Sequence, residues 1–116
     1  MIKERQRILP GYTVKVKTGC GSLFVTINFN GRPTEVFARL GKAGSCFASQ
    51  LEALCRVISA ALRSGVDYED LIKKLEGIRC PSPTVYDGVE YLSCADALAK
   101  AIKIAVEQFK QEGKKL

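Results

Sequence analysis

The sequence predicts an α+β fold: a small antiparallel sheet of about three strands followed by three helices. Three observations predict it. Period-two alternation is confined to the first 40 residues, and apolar stripes with helical spacing begin near residue 51. Four of the five cysteines fall in loops or at element ends, where one metal site could staple the parts together.

Tyr12, Val14 and Val16 alternate with Thr13, Lys15 and Lys17, the pattern of a half-buried strand. After the break Thr18-Gly19-Cys20-Gly21, a second strand places Leu23, Val25 and Ile27 on one face. Asn30-Gly31 signals a reversal, in a loop (NGRP) longer than an ideal two-residue turn, and Glu35 to Leu40 is the returning strand. Such a sheet has an edge that helices must cover.

Leu51, Leu54, Cys55, Ile58, Ala61 and Leu62 recur at helical intervals as one apolar stripe. Ser45 is the expected N-cap and Gly65 the terminator. Asp67 caps a short second helix with face Leu71, Ile72 and Leu75; Val66 and Leu71 have staple spacing, and Gly77 ends the element. The stretch IRCPSPTVYDG, with two prolines and a glycine, reads as an irregular loop. The last helix starts at Ser93, with Asp96 completing a Ser-x-x-Asp capping box. Its stripe is Leu98, Ala101, Ile102, Ala105 and Phe109, and the tail QEGKKL is expected to fray.

With 116 residues and 47% apolar composition, the chain is read as a single domain, 1–116, with enough apolar residues for a small core. It lacks the roughly 18-residue apolar run of a membrane span, and MIKERQRILPG lacks a signal peptide's apolar block. No membrane association and a cytoplasmic location are therefore expected. Residues 1–19 carry five Lys/Arg and one acid, net +4, and residues 100–116 carry five Lys and two Glu, net +3. The stretch between has eight basic and nine acidic side chains, net −1, so the overall +6 is concentrated at the ends. Such ends either keep the protein soluble or hold a polyanion through phosphate contacts. On the second reading the candidate contacts are Lys3, Arg5, Arg7, Lys15 and Lys17, then Arg39 and Lys42, then Lys110, Lys114 and Lys115.

An odd cysteine count in a reducing compartment argues against a disulfide framework. Cys55 lies on a core stripe and reads as a small buried hydrophobe. Cys20 sits between glycines, Cys80 precedes Pro81, and Cys46 and Cys94 each follow a serine N-cap. First-turn N–H groups and the helix dipole favour thiolate there, the form that binds zinc. These four residues are consistent with one structural four-thiolate zinc site per chain. Without a CxxC pair, scattered half-buried thiols and a redox pair remain open as alternatives.

The stretches TGCGSLFVTIN, EVFARLGKAGSC, ALRSGVD, GIRCPSP and LSCADALAKAI, in this order over about residues 18–103, resemble the TSCPD domain. That module is found at the carboxyl end of cobalamin-dependent (class II) ribonucleotide reductases and in small stand-alone proteins. Residues 1–17 would then be a basic N-terminal strand or arm, and 104–116 a basic helix end and tail. The resemblance implies that Cys20, Cys46, Cys80 and Cys94 bind metal, with Cys55 excluded. The name-giving Ser-Cys-Pro-Asp appears here as Ser93-Cys94-Ala95-Asp96, which keeps the cap and the thiol.

Catalysis is not expected: the chain has no room for a reductase barrel, and histidine, the commonest general base, is absent. LGKAGSC opens a helix and invites phosphate binding, but it lacks the P-loop pattern and reads as turn chemistry leading to a metal ligand. A sheet face with Phe24, Phe37 and Arg39 could stack bases, unless both rings cover a helix. Arg32, Arg79, Lys73 and Lys74 read as solvated charges, and Glu52 and Asp96 as carboxylates without a partner. The leading expectation is a non-catalytic zinc-binding accessory module that binds RNA or single-stranded DNA, or docks onto a nucleotide- or nucleic-acid-processing enzyme. The alternatives are a detached reductase domain contacting its catalytic subunit and a thiol-redox protein. Homo-oligomers are expected if apolar sheet surface stays uncovered.

Overall fold

Alternating valines and leucines in the first third of the chain build a meander of three strands, β1 (Gly11–Thr18), β2 (Gly21–Phe29) and β3 (Pro33–Leu40). The computed structural model describes residues 6–40 and 46–113, with Cys46 described in its backbone alone. The strands are antiparallel in the order β1-β2-β3. Opposed triplets Val16–Leu23–Leu40, Val14–Val25–Ala38 and Tyr12–Ile27–Val36 form the core face. Gly19 and Cys20 connect β1 to β2, and Asn30 to Arg32 connect β2 to β3. Gly31 supplies a φ of +72°, and the register shifts at Asn28/Phe29.

Helix α1 (Cys46–Arg63) packs on β3, and α3 (Cys94–Gln111) packs on β1 and β2. The short α2 (Tyr68–Leu75) leans on α3. Each predicted stripe points inward: Leu51, Cys55, Ile58 and Leu62 are buried on α1, as are Leu98, Ala101, Ile102, Ala105 and Phe109 on α3. Burying a side chain such as Leu23, Ile27, Leu98 or Ile102 fully contributes about 1.5–3 kcal/mol. The Phe29 and Phe109 rings stack at 4.2 Å, joining the end of β2 to the end of α3.

Asp67 caps α2, its carboxylate accepting from the Glu69 N–H at 3.1 Å, and Gly65 takes a φ of +98° after α1. Ser93 caps α3, its hydroxyl accepting from the Asp96 N–H. The expected Ser45 cap lies outside the described residues.

Four expectations need correction. The stretch after Pro83 is a hairpin, β4 (Thr84–Tyr86) and β5 (Val89–Tyr91), rather than an irregular loop. Asp87 and Gly88 turn it with φ of +53° and +77°, the left-handed pair that a tight two-residue hairpin requires. Arg32 is not merely solvated, because its Nη2 donates to the Val66 carbonyl at 2.6 Å. Glu52 has a partner in Arg56, at 2.9 Å one helical turn away. At the end of α3 the tail's Glu112 is held, because the Tyr12 hydroxyl, 100 positions earlier, donates to it at 2.5 Å; the tail's residues 114–116 lie outside the described residues.

Candidate functional site

Cys20 lies at the tip of the β1–β2 turn and is exposed; its N–H donates to Thr18 Oγ1 at 3.1 Å. Gly19 beside it is required by close approach: a Cβ there would fall 2.3 Å from the carbonyl oxygen of Ser82. The turn is thus pressed against the segment that carries Cys80. The Cys80 N–H donates to the Leu92 carbonyl at 2.9 Å, so Cys80 sits where the strap from α2 meets the start of α3. Cys94 opens α3, directly after its cap.

These placements bring three of the four motif cysteines into one neighbourhood. The Cys94 thiol contacts the side chains of Thr18 and Cys20, and Cys80 is close enough to act on it electrostatically. Burial pushes this thiol up to about 11, and the two neighbouring sulfurs push the same way against the Thr18 hydroxyl. In the metal-free protein, burial thus favours the protonated form of this thiol. Cys46 opens α1, and its side chain lies outside the described residues. Among the described residues no group of three or more His, Cys, Asp or Glu is arranged to hold a metal ion. The predicted four-cysteine centre is therefore not seen, although its sulfurs on β1–β2, the strap and α3 are neighbours. Cys55 is buried beside the Ala38 backbone, and burial raises its thiol to about 11.

Asp96 anchors the strap. Its carboxylate accepts from the Gly77 N–H at 3.0 Å, the Leu92 N–H at 2.9 Å and Lys100 Nζ at 2.7 Å. Burial alone would raise its titration; the two N–H groups and the ammonium outweigh burial and hold it below the usual carboxylate range. A carboxylate expected to lack partners is thus the most heavily bonded side chain at the start of α3. The Ser93 hydroxyl adds a bond to the Ile78 carbonyl at 2.5 Å.

The second face of the sheet carries a different chemistry. Lys15, Phe24 and Arg39 stand directly opposite one another across three strands, flanked by Thr13, Thr26 and Phe37. The Arg39 guanidinium lies 5.7 Å from the Phe24 ring centre, and Lys15 Nζ lies 6.0 Å from it. Tyr86 on β4 extends the row, with Lys15 Nζ at 5.9 Å and Lys17 Nζ at 5.0 Å from its ring. An open depression of about 350 Å³ is lined by Thr13, Phe24, Thr26, Phe37, Ala38 and Arg39. The reading in which both phenylalanines cover a helix fails for Phe37, which is 51% exposed. Glu35 shares this face but is buried, and its carboxylate accepts from Asn28 Nδ2 at 3.0 Å.

Of the candidate phosphate contacts, Lys15, Lys17 and Arg39 come together on this face. Lys110 lines a groove between α2 and α3 and does not join them. Arg7 is exposed in the segment before β1, and Lys3, Arg5, Lys42, Lys114 and Lys115 lie outside the described residues. Sequence reasoning missed Tyr86, although Asp87-Gly88 signalled the hairpin that positions it. It also missed Thr18 and Lys100, although both lie inside stretches that carry the family resemblance.

The architecture defines a small α+β module in which three motif cysteines, Cys20, Cys80 and Cys94, lie near the junction of a β-turn, a strap and a helix start. A family model described as the TSCPD domain matches residues 2–106, and the chain belongs to that family. No curated protein and no solved structure matches it. Among the described residues no helix is long and apolar enough to cross a membrane.

Proposed function

We propose that the chain is a non-catalytic accessory module that binds single-stranded nucleic acid across the open face of its sheet and is organised by one structural zinc ion. The observation that carries the reading is the Lys15–Phe24–Arg39 row, continued by Tyr86 and Lys17. Aromatic faces accept stacked bases of any sequence, and cations between them neutralise the phosphates that join those bases. RNA and single-stranded DNA both present this chemistry.

Cys20, Cys80 and Cys94 would hold the zinc, with Cys46 as the fourth ligand. Sulfur is the donor type that a thiophilic cation prefers. A metal displaces the protons of the thiols that bind it, and four thiolates leave no open position for water. When bound, zinc supplies a crosslink between the β1–β2 turn, the strap and two helix starts. A thiol-redox role has less support, because a thiol titrating near 11 is a poor nucleophile at neutral pH.

Docking onto a nucleotide-handling enzyme is a second reading. It is favoured by the family's resemblance to reductase carboxyl-terminal modules and by Val57, 66% exposed on α1. Titration of a labelled oligothymidylate against the purified protein at several salt concentrations separates the two. Binding that weakens steeply with salt supports the nucleic-acid reading; absence of binding at low salt removes it and leaves docking.

A further inference from the structure

The open face of the sheet carries a pair of hydroxyls that stacking and charge leave unused. Thr13 and Thr26 stand directly opposite one another on β1 and β2, with their Oγ1 atoms 2.9 Å apart. Phe37 faces Thr26 from β3, and its ring is exposed. Arg39 follows two positions along β3, hence on the same face, with its guanidinium over Phe24. All of these residues line the one depression of about 350 Å³. A single hollow thus offers an aromatic ring, a hydroxyl pair and a cation, the complements of a base, a sugar and a phosphate. Each threonine hydroxyl has one proton and two lone pairs, and their mutual bond uses up one proton between them. The pair therefore keeps a donor and acceptor sites for a ligand. Among the described residues neither hydroxyl has a further partner. Valine at both positions would suit the strands at least as well, so the sheet itself does not call for the hydroxyls.

We infer that Thr13 and Thr26 make this face prefer RNA to single-stranded DNA by bonding a ribose 2′-hydroxyl. The inference rests on the nucleic-acid reading given above and names the polymer. A base stacked on Phe37 and a phosphate held by Arg39 place the sugar between them over the two threonines. The 2′-hydroxyl is both donor and acceptor. It takes the free threonine proton and gives its own to a threonine oxygen. Deoxyribose has only hydrogen at that carbon and leaves the pair to water. The rings and cations of the face read features that both polymers share, so the discrimination falls to the hydroxyls. Because the hollow is open to water, the gain is net of the hydration it replaces and amounts to a preference of about fivefold.

The test titrates the full-length protein at low salt with labelled oligouridylate, oligodeoxyuridylate and 2′-fluoro-oligouridylate of equal length. The three share bases and phosphates, and the fluoro polymer keeps the ribose pucker but has no proton to donate. Oligouridylate is expected to bind about fivefold more tightly than either of the others. The double variant Thr13→Val with Thr26→Val should bring the ratio of RNA to DNA affinity to one. The corresponding double serine variant, which restores the hydroxyls, should keep the parent ratio. Circular dichroism checks the fold of each variant, and the three-way comparison in the parent decides the matter without them. Equal affinity of the parent for oligouridylate and oligodeoxyuridylate overturns the inference. So does a fluoro polymer that binds as tightly as RNA, or a preference that survives in the folded valine variant. Those outcomes leave the nucleic-acid reading standing, whereas a parent protein that binds none of the three polymers removes both.

Discussion

The Ser59 hydroxyl holds both backbone polar groups of Val36, accepting from its N–H at 2.9 Å and donating to its carbonyl at 3.0 Å. Val36 lies on the outer strand of the sheet, where such groups would otherwise recruit another chain. One helical turn earlier, Cys55 meets the Ala38 backbone, so α1 seals the edge at two successive outward positions.

Ser59→Ala should therefore destabilise the fold by about 2 kcal/mol, because it leaves buried backbone groups unpaired. Urea denaturation measures the loss. Oligonucleotide binding by the folded fraction should be unchanged, since Ser59 lies behind the strand and away from the Phe24 row.

Asp96→Ala removes the acceptor for Gly77, Leu92 and Lys100 and should cost about 3–5 kcal/mol. The pH dependence has a definite sign. The folded-state carboxyl titrates below its unfolded value of about 3.9, so its contribution is fully present above that pH and is lost as pH falls through the folded-state value. Parent and variant stabilities, measured in chelator to silence thiolate ligation, should converge in acid and stay apart at neutral pH.

Gly19→Ala and Gly21→Ala should separate steric from conformational cost. A Cβ on Gly19 meets the Ser82 backbone, whereas a Cβ on Gly21 meets nothing and suffers from a φ of +126°. The first should displace the strap and lower zinc affinity. The second should cost about 1–3 kcal/mol of stability and leave zinc affinity near the parent value. Competition with a chromogenic chelator reads the difference.

Elemental analysis should find one zinc per chain. Serine at Cys20, Cys46, Cys80 or Cys94 should release it, and alanine at Cys55 should leave it bound. Because the metal-free Cys94 thiol titrates near 11, binding at neutral pH should expel protons. Calorimetry in buffers of different ionisation enthalpy detects them.

The elements that were legible from the sequence are those whose order is local. Ser93 and Asp67 announce their helices because a cap bonds residues two or three positions away. Tyr12, Val14 and Val16 announce a strand because alternation is intrinsic to it. The hairpin at Thr84 was obscured by the two prolines before it, even though Asp87-Gly88 is a local signal. The partners of Asp96 were illegible for another reason: Gly77 is 19 positions away and reaches the carboxylate only after α2 has docked. The cysteines were identifiable as a group by residue type and terminal position, while their convergence depends on tertiary packing that no spacing encodes.

The clasp between Tyr12 and Glu112, with the Phe29–Phe109 stack beneath it, has a consequence for biosynthesis. A ribosome delivers the sheet first and its lid last, so Val16, Leu23 and Ile27 remain wet until the final helix leaves the exit tunnel. Nascent chains stalled before residue 94 lack the helix whose Leu98, Ile102 and Phe109 complete that core.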